Sequence, residues 1–384
     1  MDFNLTDEQE LLKENVNEFV ARNLSEDRIS DWYATGAVPD EFLKAYLDAG
    51  FGLMGIPEEY GGVPCDCVTL GVLTESLFHA SGCMTPFVSN TLAMYDIVEL
   101  GTDEQIRQCL EAYTESGKPI FSLALSEPAA GSDNMSMTTV TRKQADGSYI
   151  LSGTKTWVTM GEHYPYVLVA AKDEEPDRSN GSISLWFLPK DSAGVSTAPL
   201  HKIGQTIMPF CEMYFDEVKV TESMRVGKPG HGFMGLMKNF EMERALIAAQ
   251  SLGLAQAAFD DAAAYANDRI AFGKPIASQQ LIMEKLTDMQ IILENTRNML
   301  YKTLWKIDQG QSIQTDCALL KRYAGTQCSW VASQALQIFA GLGYTTETRV
   351  GRIWEDCRGN EIAGGTNEIM AYIAGRQIAK KYRK

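Results

Sequence analysis

Thr138-Thr139-Val140-Thr141-Arg142-Lys143-Gln144-Ala145-Asp146-Gly147-Ser148-Tyr149-Ile150-Leu151-Ser152-Gly153-Thr154-Lys155 marks a change of architecture along the chain. Two runs containing β-branched residues flank Asp146-Gly147. Glycine accepts the positive φ that a tight hairpin turn requires, so the stretch predicts two paired antiparallel strands. Its period is two, whereas the sequence on either side repeats at helical spacing. A β segment is therefore set between two helical ones.

Toward the N-terminus, Thr6-x-x-Gln9 forms a capping-box pattern, followed by Leu12, Val16, Phe19 and Val20 at helical spacing. A second helix is expected from Asp40 through Phe42, Leu43, Tyr46 and Leu47 to Gly50. Another opens at Thr102-x-x-Gln105 and is closed by Gly117 and Pro119. Residues 1–118 thus read as an all-α domain packed through one-sided apolar stripes. The β segment, 119–225, continues with short strands at Val167–Ala171, Ile183–Pro189 and Met213–Val218. After Gly227-Lys228-Pro229-Gly230 the helical period returns, from Phe233 to about Phe272, Ser278 to Asp308, Thr315 to Phe339, and again from near Thr366. The expected fold is α+β and mainly α: an N-terminal helical domain, a central antiparallel β-barrel-like domain, and a C-terminal four-helix bundle over 226–384.

The 384 residues allow two or three domains at roughly 150 residues each. Apolar residues make up 45% and charged residues 22%, which describes a globular chain rather than a disordered one. A formal charge of −16 argues against a nucleic-acid partner. The eight cysteines are dispersed and contain no Cys-x-x-Cys pair, so no metal site is expected and a reducing cytoplasm fits. Met1-Asp2-Phe3-Asn4-Leu5-Thr6-Asp7 lacks the basic-then-apolar order of a signal peptide, and no membrane span is expected.

Several motifs could carry chemistry, and each has a plain structural reading beside it. Leu125 to Asp133 leaves a strand and enters a Ser/Gly/Pro loop that could wrap a ligand or simply turn. Trp157, in Lys155-Thr156-Trp157-Val158-Thr159, is either a planar platform or core. Glu243 shares a helical face with Ile247, Gln250 and Leu254, where desolvation would raise its pKa and improve it as a base. The alternative is an ordinary ion pair, with Arg244 beside it as partner or support. Arg269 to Pro275 and Gln337 to Tyr344 suit a pyrophosphate and equally suit helix C-caps. Gly364-Gly365-Thr366 precedes the last helix, so its backbone N–H groups could face an anion or a polarised carbonyl.

Taken in order, Ile56-Pro57-Glu58-Glu59-Tyr60-Gly61-Gly62, Leu125–Asp133, Trp157-Val158-Thr159, Arg269–Gly273, Gln337–Tyr344 and Gly364-Gly365-Thr366 resemble the acyl-CoA dehydrogenase family over essentially the whole chain. Met1–Leu5 and Asn239-Phe240-Glu241-Met242-Glu243-Arg244 resemble the bacterial branch around crotonobetainyl-CoA reductase. The resemblance implies FAD as cofactor. It assigns the flavin ring to Leu125, Ser126, Trp157 and Thr159, the phosphate loop to Gly131, and the thioester side to Ser132. The ADP half falls to Arg269, Phe272, Gln280, Gln337 and Gly341, partly across a subunit interface, and the closing turn to Thr366 and Glu368. Arg244 and Gly364 are placed at the substrate. The resemblance also implies a homotetramer or homodimer and electron-transfer flavoprotein as redox partner.

Two departures from the family pattern matter. Many members carry the base as the Glu of a Glu-Gly-Thr turn, whereas the matching turn here is Gly364-Gly365-Thr366. Other members place it on the adjacent helix, and Glu243 matches that position. Ala340 stands where the first Gly of a Gly-Gly pair is usual. The implied reaction is α,β-dehydrogenation of an acyl-CoA to a trans-2-enoyl-CoA. Glu243 would take the α-proton, Gly364 N–H would polarise the carbonyl, and the β-hydrogen would pass to FAD. The reverse reaction, an enoyl-CoA reductase, is the alternative within the class, and a non-catalytic flavoprotein assembly subunit is the alternative outside it. The small turn Ala363-Gly364 leads to an expectation of room for a bulky β-substituent.

Overall fold

The computed structural model describes residues 4–118, 120–174 and 182–383. Met1, Asp2, Phe3 and Pro119, which figure in the sequence reading, lie outside them. The chain folds as two compact units. One comprises Met1–Asp31, Cys65–Met84 and Glu241–Lys384, and the other Trp32–Pro64 and Thr85–Phe240.

The first unit is helical. Asp7–Asn23 opens with the expected capping box, Thr6 accepting from the Gln9 N–H while the Gln9 side chain accepts from the Thr6 N–H. Gln9 also donates to Thr69 on the helix Cys67–Ser81. That helix departs from the one-sided pattern, because every residue from Leu70 to Phe78 is buried. A helix apolar all round belongs inside a bundle. Its neighbours come close enough to need glycine: a Cβ at Gly71 would meet Leu304 Cδ1 at 2.3 Å, and one at Gly253 would meet the Glu75 carbonyl at 2.5 Å. The long helices are Gly232–Asp268, which belongs to this unit from Glu241 onward, Gln280–Asp308 and Gln314–Phe339. They are followed by Arg349–Gly359 and Asn367–Lys381.

Two readings are corrected here. The first long helix stops at Asp268 rather than near Phe272, because Ile270–Ala271 and Lys274–Pro275 pair as a small hairpin with Phe272-Gly273 at its tip. The expected bundle of four helices has a fifth, Arg349–Gly359, whose two glycines and five charged residues hide its helical stripe. Its apolar side, Val350, Ile353 and Cys357, is nonetheless buried.

The second unit carries the sheet. Its strands are β1 (Phe121–Ala124), β2 (Val140–Lys143), β3 (Tyr149–Thr159), β4 (Tyr166–Asp173), β5 (Ile183–Pro189), β6 (Val195–Leu200), β7 (Phe210–Val220) and β8 (Arg225–Val226). The Asp146-Gly147 hairpin is present, with β2 antiparallel to β3 and Gly147 at φ +84°. The strand order is β6-β7-β3-β2-β4-β5-β8, with β1 on β4, so the sheet is open at β6 and β8 rather than closed as a barrel. Most pairings are antiparallel as expected, but β1 and β2 each pair with β4 in parallel. β4 and β5 are buried on both faces, which is why they read as continuous apolar runs. Leu168, Ala170, Leu185 and Phe187 face one core, shared with Ile97, Ile106 and Tyr113 from helices of the same unit. Val167, Val169, Trp186 and Leu188 face the other, shared with Leu151 and Met213.

Candidate active site

In the sheet unit, Leu125 to Asp133 is a loop held from beneath by a buried ion pair. Lys155 is fully buried, and its Nζ donates to Glu127 Oε1 at 3.0 Å and to the Leu125 carbonyl at 2.9 Å. Glu127 also accepts from the Thr138 N–H (2.7 Å), the Thr138 hydroxyl (2.8 Å) and the Thr139 N–H (2.9 Å). Burial by itself would raise the Glu127 carboxyl, but the Thr139 and Thr138 hydrogen bonds and the Lys155 charge outweigh it and hold it down to about 2. Burial pushes Lys155 down to about 8 against the pull of Glu127. With its donors and acceptors internally paired, this pair fixes the path of the loop rather than facing a ligand.

Next to that pair, β3 and β7 lose register between Lys155 and Val158, where two residues oppose one. Such a bulge re-aims a side chain. Trp157 sits in it at φ +54° and is 52% exposed, so it is a projecting platform and not core. A Cβ on Gly131 would touch only the Trp157 ring, at 3.7 Å, which brings the Gly131 loop to the edge of that platform. The Thr156 N–H donates to the Ser126 carbonyl, joining the two motifs. Leu125, Ser126 and Thr159 are half-buried and Ser132 is exposed.

In the helical unit the predicted residues fall in two groups. Arg269, Phe272, Gln280, Gln337 and Gly341 are all exposed, Phe272 at 96%. Tyr265 and Phe339 stack with centroids 4.3 Å apart and bring the ends of their helices together. The second group surrounds Glu243. Ile247, Gln250 and Leu254 are buried, as the helical spacing predicted. The Cβ position of Gly364 lies 3.8 Å from Glu243 Oε1 and 2.5 Å from Ile247 Cδ1. That second contact is with the far end of a flexible side chain and bears on a side chain at position 364, not on the acyl group. The Gly364 N–H donates to no acceptor among the described residues. Burial pushes the Glu243 carboxyl up to about 7, with Arg244 and then Lys321 opposing. Arg244 is buried, and its Nε has no hydrogen-bond partner among the described residues.

The turn that carries Gly364 is fixed at several points. Gln250 donates to Asn360, Asn360 donates to Ser251, and Lys321 donates to the Glu361 and Gly365 carbonyls. Thr366 caps the last helix by accepting from the Ile369 N–H, and Glu368 is exposed one residue into that helix. Sequence reasoning missed Glu127, Lys321 and Asn360. The only signal for Lys321 was a cation directly after the apolar run Ala318-Leu319-Leu320, and Arg322 beside it gave no way to tell which of the two is buried. Among the described residues no cluster of His, Cys, Asp or Glu could hold a metal, and no helix is long and apolar enough to cross a membrane.

Comparison with known proteins gives three consecutive family matches. These are the N-terminal domain of acyl-CoA dehydrogenase over residues 6–116, its middle domain over 122–218 and its C-terminal domain over 230–379. The chain is 45% identical over 386 aligned positions to the probable acyl-CoA dehydrogenase YdiO of Escherichia coli (strain K12), covering 100% of both. It superposes on butyryl-CoA dehydrogenase from Megasphaera elsdenii with a TM-score of 0.90 at 30% identity, covering 99% of this chain and 100% of that one. It also superposes on PigA, solved with FAD and proline, with a TM-score of 0.92 at 26% identity, covering 99% and 100%. Matched by family models along nearly all its length and by a full-length relative, the chain belongs to the acyl-CoA dehydrogenase family of flavin-dependent oxidoreductases.

Proposed function

We propose that the protein is an FAD-dependent acyl-CoA dehydrogenase in which Glu243 is the base and the Gly364 N–H is the oxyanion donor. The observation that carries this reading is the placement of the Glu243 carboxyl beside a turn position that lacks a side chain and whose N–H has no acceptor among the described residues. The turn has a vacancy where a carboxylate could start, and the adjacent helix supplies one.

The residues present fit FAD. Trp157 offers an exposed ring face, the Gly131 backbone is uncovered beside it, and a Cβ on Gly341 would meet nothing within 4 Å. Leu125, Ser126, Trp157, Thr159 and Gly131 would hold the flavin end. Arg269, Phe272, Gln280, Gln337 and Gly341 would hold the ADP end, and Thr366 and Glu368 would close over it. When bound, FAD supplies the acceptor for the β-hydrogen. Glu243, ionised, accepts the α-proton of the thioester. The Gly364 N–H stabilises the negative charge that grows on the carbonyl oxygen as that proton leaves, an effect worth about 10² to 10³ in rate. Ser132 and Arg244 are assigned to the thioester.

A carboxyl whose value lies near neutrality is protonated often enough to serve as an acid too, so the same residue supports enoyl-CoA reduction in the reverse direction. Electron-transfer flavoprotein is the proposed redox partner. The exposed Phe272, Tyr344 and Leu281 support a homo-oligomer, proposed as a tetramer, that covers them. Eight free thiols support a reducing cytoplasm. Residues 1–118, 119–225 and 226–384 are proposed as the functional segments. The test is to mix the yellow holoprotein with a panel of acyl-CoA thioesters and follow the flavin absorbance. Bleaching by at least one thioester is expected, and none with any chain length or branching would leave only a binding protein.

A further inference from the structure

Lys321 is 1% exposed in the middle of the helix Gln314–Phe339. Among the described residues its Nζ donates to two backbone carbonyls, Glu361 at 3.2 Å and Gly365 at 2.5 Å, and to no carboxylate. An ammonium buried without a hydrogen-bonded anion is costly, and an apolar residue would fill the same helix position without that cost. Its two acceptors bracket Gly364. Gly364 and Gly365 stand at φ +64° and +92°, so the turn is built from two residues that have no conformational preference of their own for holding it.

Four further charged groups face this centre. Arg244 and Glu243 lie on the long helix, Glu361 on the turn and Glu368 on the last helix. Glu241 and the Cys317 thiol face Arg244 from the long helix and from the helix of Lys321. Of the cations in this group, Lys321 is the one whose hydrogen bonds go to the Gly364 turn, and together with Arg244 it supplies the positive field on Glu243.

We propose that Lys321 is a positioning residue for the Glu243 and Gly364 site: its ammonium clamps the backbone that presents the Gly364 N–H, and its charge favours the ionised, proton-accepting form of Glu243. The inference rests on the assignment of Glu243 as base. One cation thereby serves both halves of the proton transfer, aligning the donor to the carbonyl and keeping the acceptor of the α-proton charged.

The experiment compares wild-type holoprotein with K321M, K321Q, K321R and E243Q. It measures the rate of flavin bleaching by a reactive acyl-CoA across pH, and backbone amide exchange over residues 361–366. K321M is expected to slow bleaching by about tenfold or more, to move the midpoint of its rise upward by about one pH unit, and to speed amide exchange in the turn. K321R keeps the charge and is expected to hold the wild-type midpoint. Should K321M not accumulate as yellow protein, K321Q carries the test, with the same upward shift expected from loss of the charge. Wild-type midpoint and rate in the neutral variants, with unchanged amide exchange, would overturn the inference. A clamp without an electrostatic part predicts lost rate at an unmoved midpoint, and that result would overturn the charge role. E243Q separates the two assignments: if it bleaches at the wild-type rate the base assignment fails, whereas a silent E243Q beside a wild-type-like K321M defeats only the role of Lys321.

Discussion

The Cβ that Gly364 lacks would stand 3.8 Å from Oε1 of Glu243, so a side chain on the long helix ends where one on the turn would begin. Burial at that place raises the carboxyl to about 7. A base must be ionised to accept a proton, so substrate-driven flavin bleaching should rise with pH and be half-maximal near that value. Enoyl-CoA reduction needs the protonated form and should fall over the same range, so the two slopes separate the two directions. The folded state favours protonation of this group. Its contribution to stability is therefore present below 4.5 and lost as pH rises through about 7. Stopped-flow bleaching in both directions checks the slopes. Glu243→Gln should lose about 10² to 10⁴ in rate while retaining FAD.

If the carboxyl is what matters, and not the helix that bears it, the base can be moved. Gly364→Glu in the Glu243→Gln background should recover at least about tenfold over Glu243→Gln alone. The new Cβ meets Ile247 Cδ1 at 2.5 Å, the far end of a flexible side chain, and Gly364 has φ +64°, so the recovery should be incomplete. Adding Ile247→Val shortens that contact partner and should improve the recovery. A double variant that binds FAD but is no faster than Glu243→Gln would count against the shared position.

What the sequence disclosed and what it concealed follow from the range of the interactions. The capping boxes at Thr6 and Thr102 and the turn at Asp146-Gly147 are made by residues a few positions apart, and all three were legible. β6 was not, since Val195–Leu200 is mostly open to solvent and contains Pro199, and β8 has only two residues. The desolvation of the half-buried Glu243 was legible because Ile247, Gln250 and Leu254 lie on its own helix. Lys321 was concealed because its acceptors lie 40 and 44 residues away and are backbone carbonyls, which any sequence would supply. The Glu127–Lys155 pair was likewise split, by 28 residues, between two motifs that could each be read without the other.

That pair makes a prediction in acid. Glu127 is held down to about 2, from an ordinary 4.5, so its contribution to stability is complete above 4.5 and is lost as pH falls toward about 2. Lys155→Met leaves a buried carboxylate without its cation and should cost about 3 to 5 kcal/mol. Because Lys155 also holds the Leu125 carbonyl, the variant should release FAD more readily than the wild type. Denaturant unfolding at pH 7 and at pH 4, with FAD content measured after gel filtration, checks all three. A wild-type acid profile in Lys155→Met would argue against the pair as an anchor of the loop.

Ala340 ends the helix Gln314–Phe339 at φ +54° and ψ −131°, a conformation in which a Cβ is crowded and that glycine adopts freely. The cost of such a residue is about 1 to 3 kcal/mol. Glycine at the same place would relieve it but would give back about 0.5 to 1 kcal/mol through the greater freedom of the unfolded chain. Ala340→Gly should therefore stabilise the protein by about 1 kcal/mol and raise its Tm. Its N–H keeps both carbonyl acceptors, Leu336 and Gln337, because the backbone need not move. FAD affinity should hold or improve, since the neighbouring Gln337 and Gly341 keep their positions. Thermal unfolding of the two holoproteins, with FAD release followed by its fluorescence, gives both numbers. A lower Tm for Ala340→Gly would mean that the methyl group makes a contact worth more than the strain it imposes.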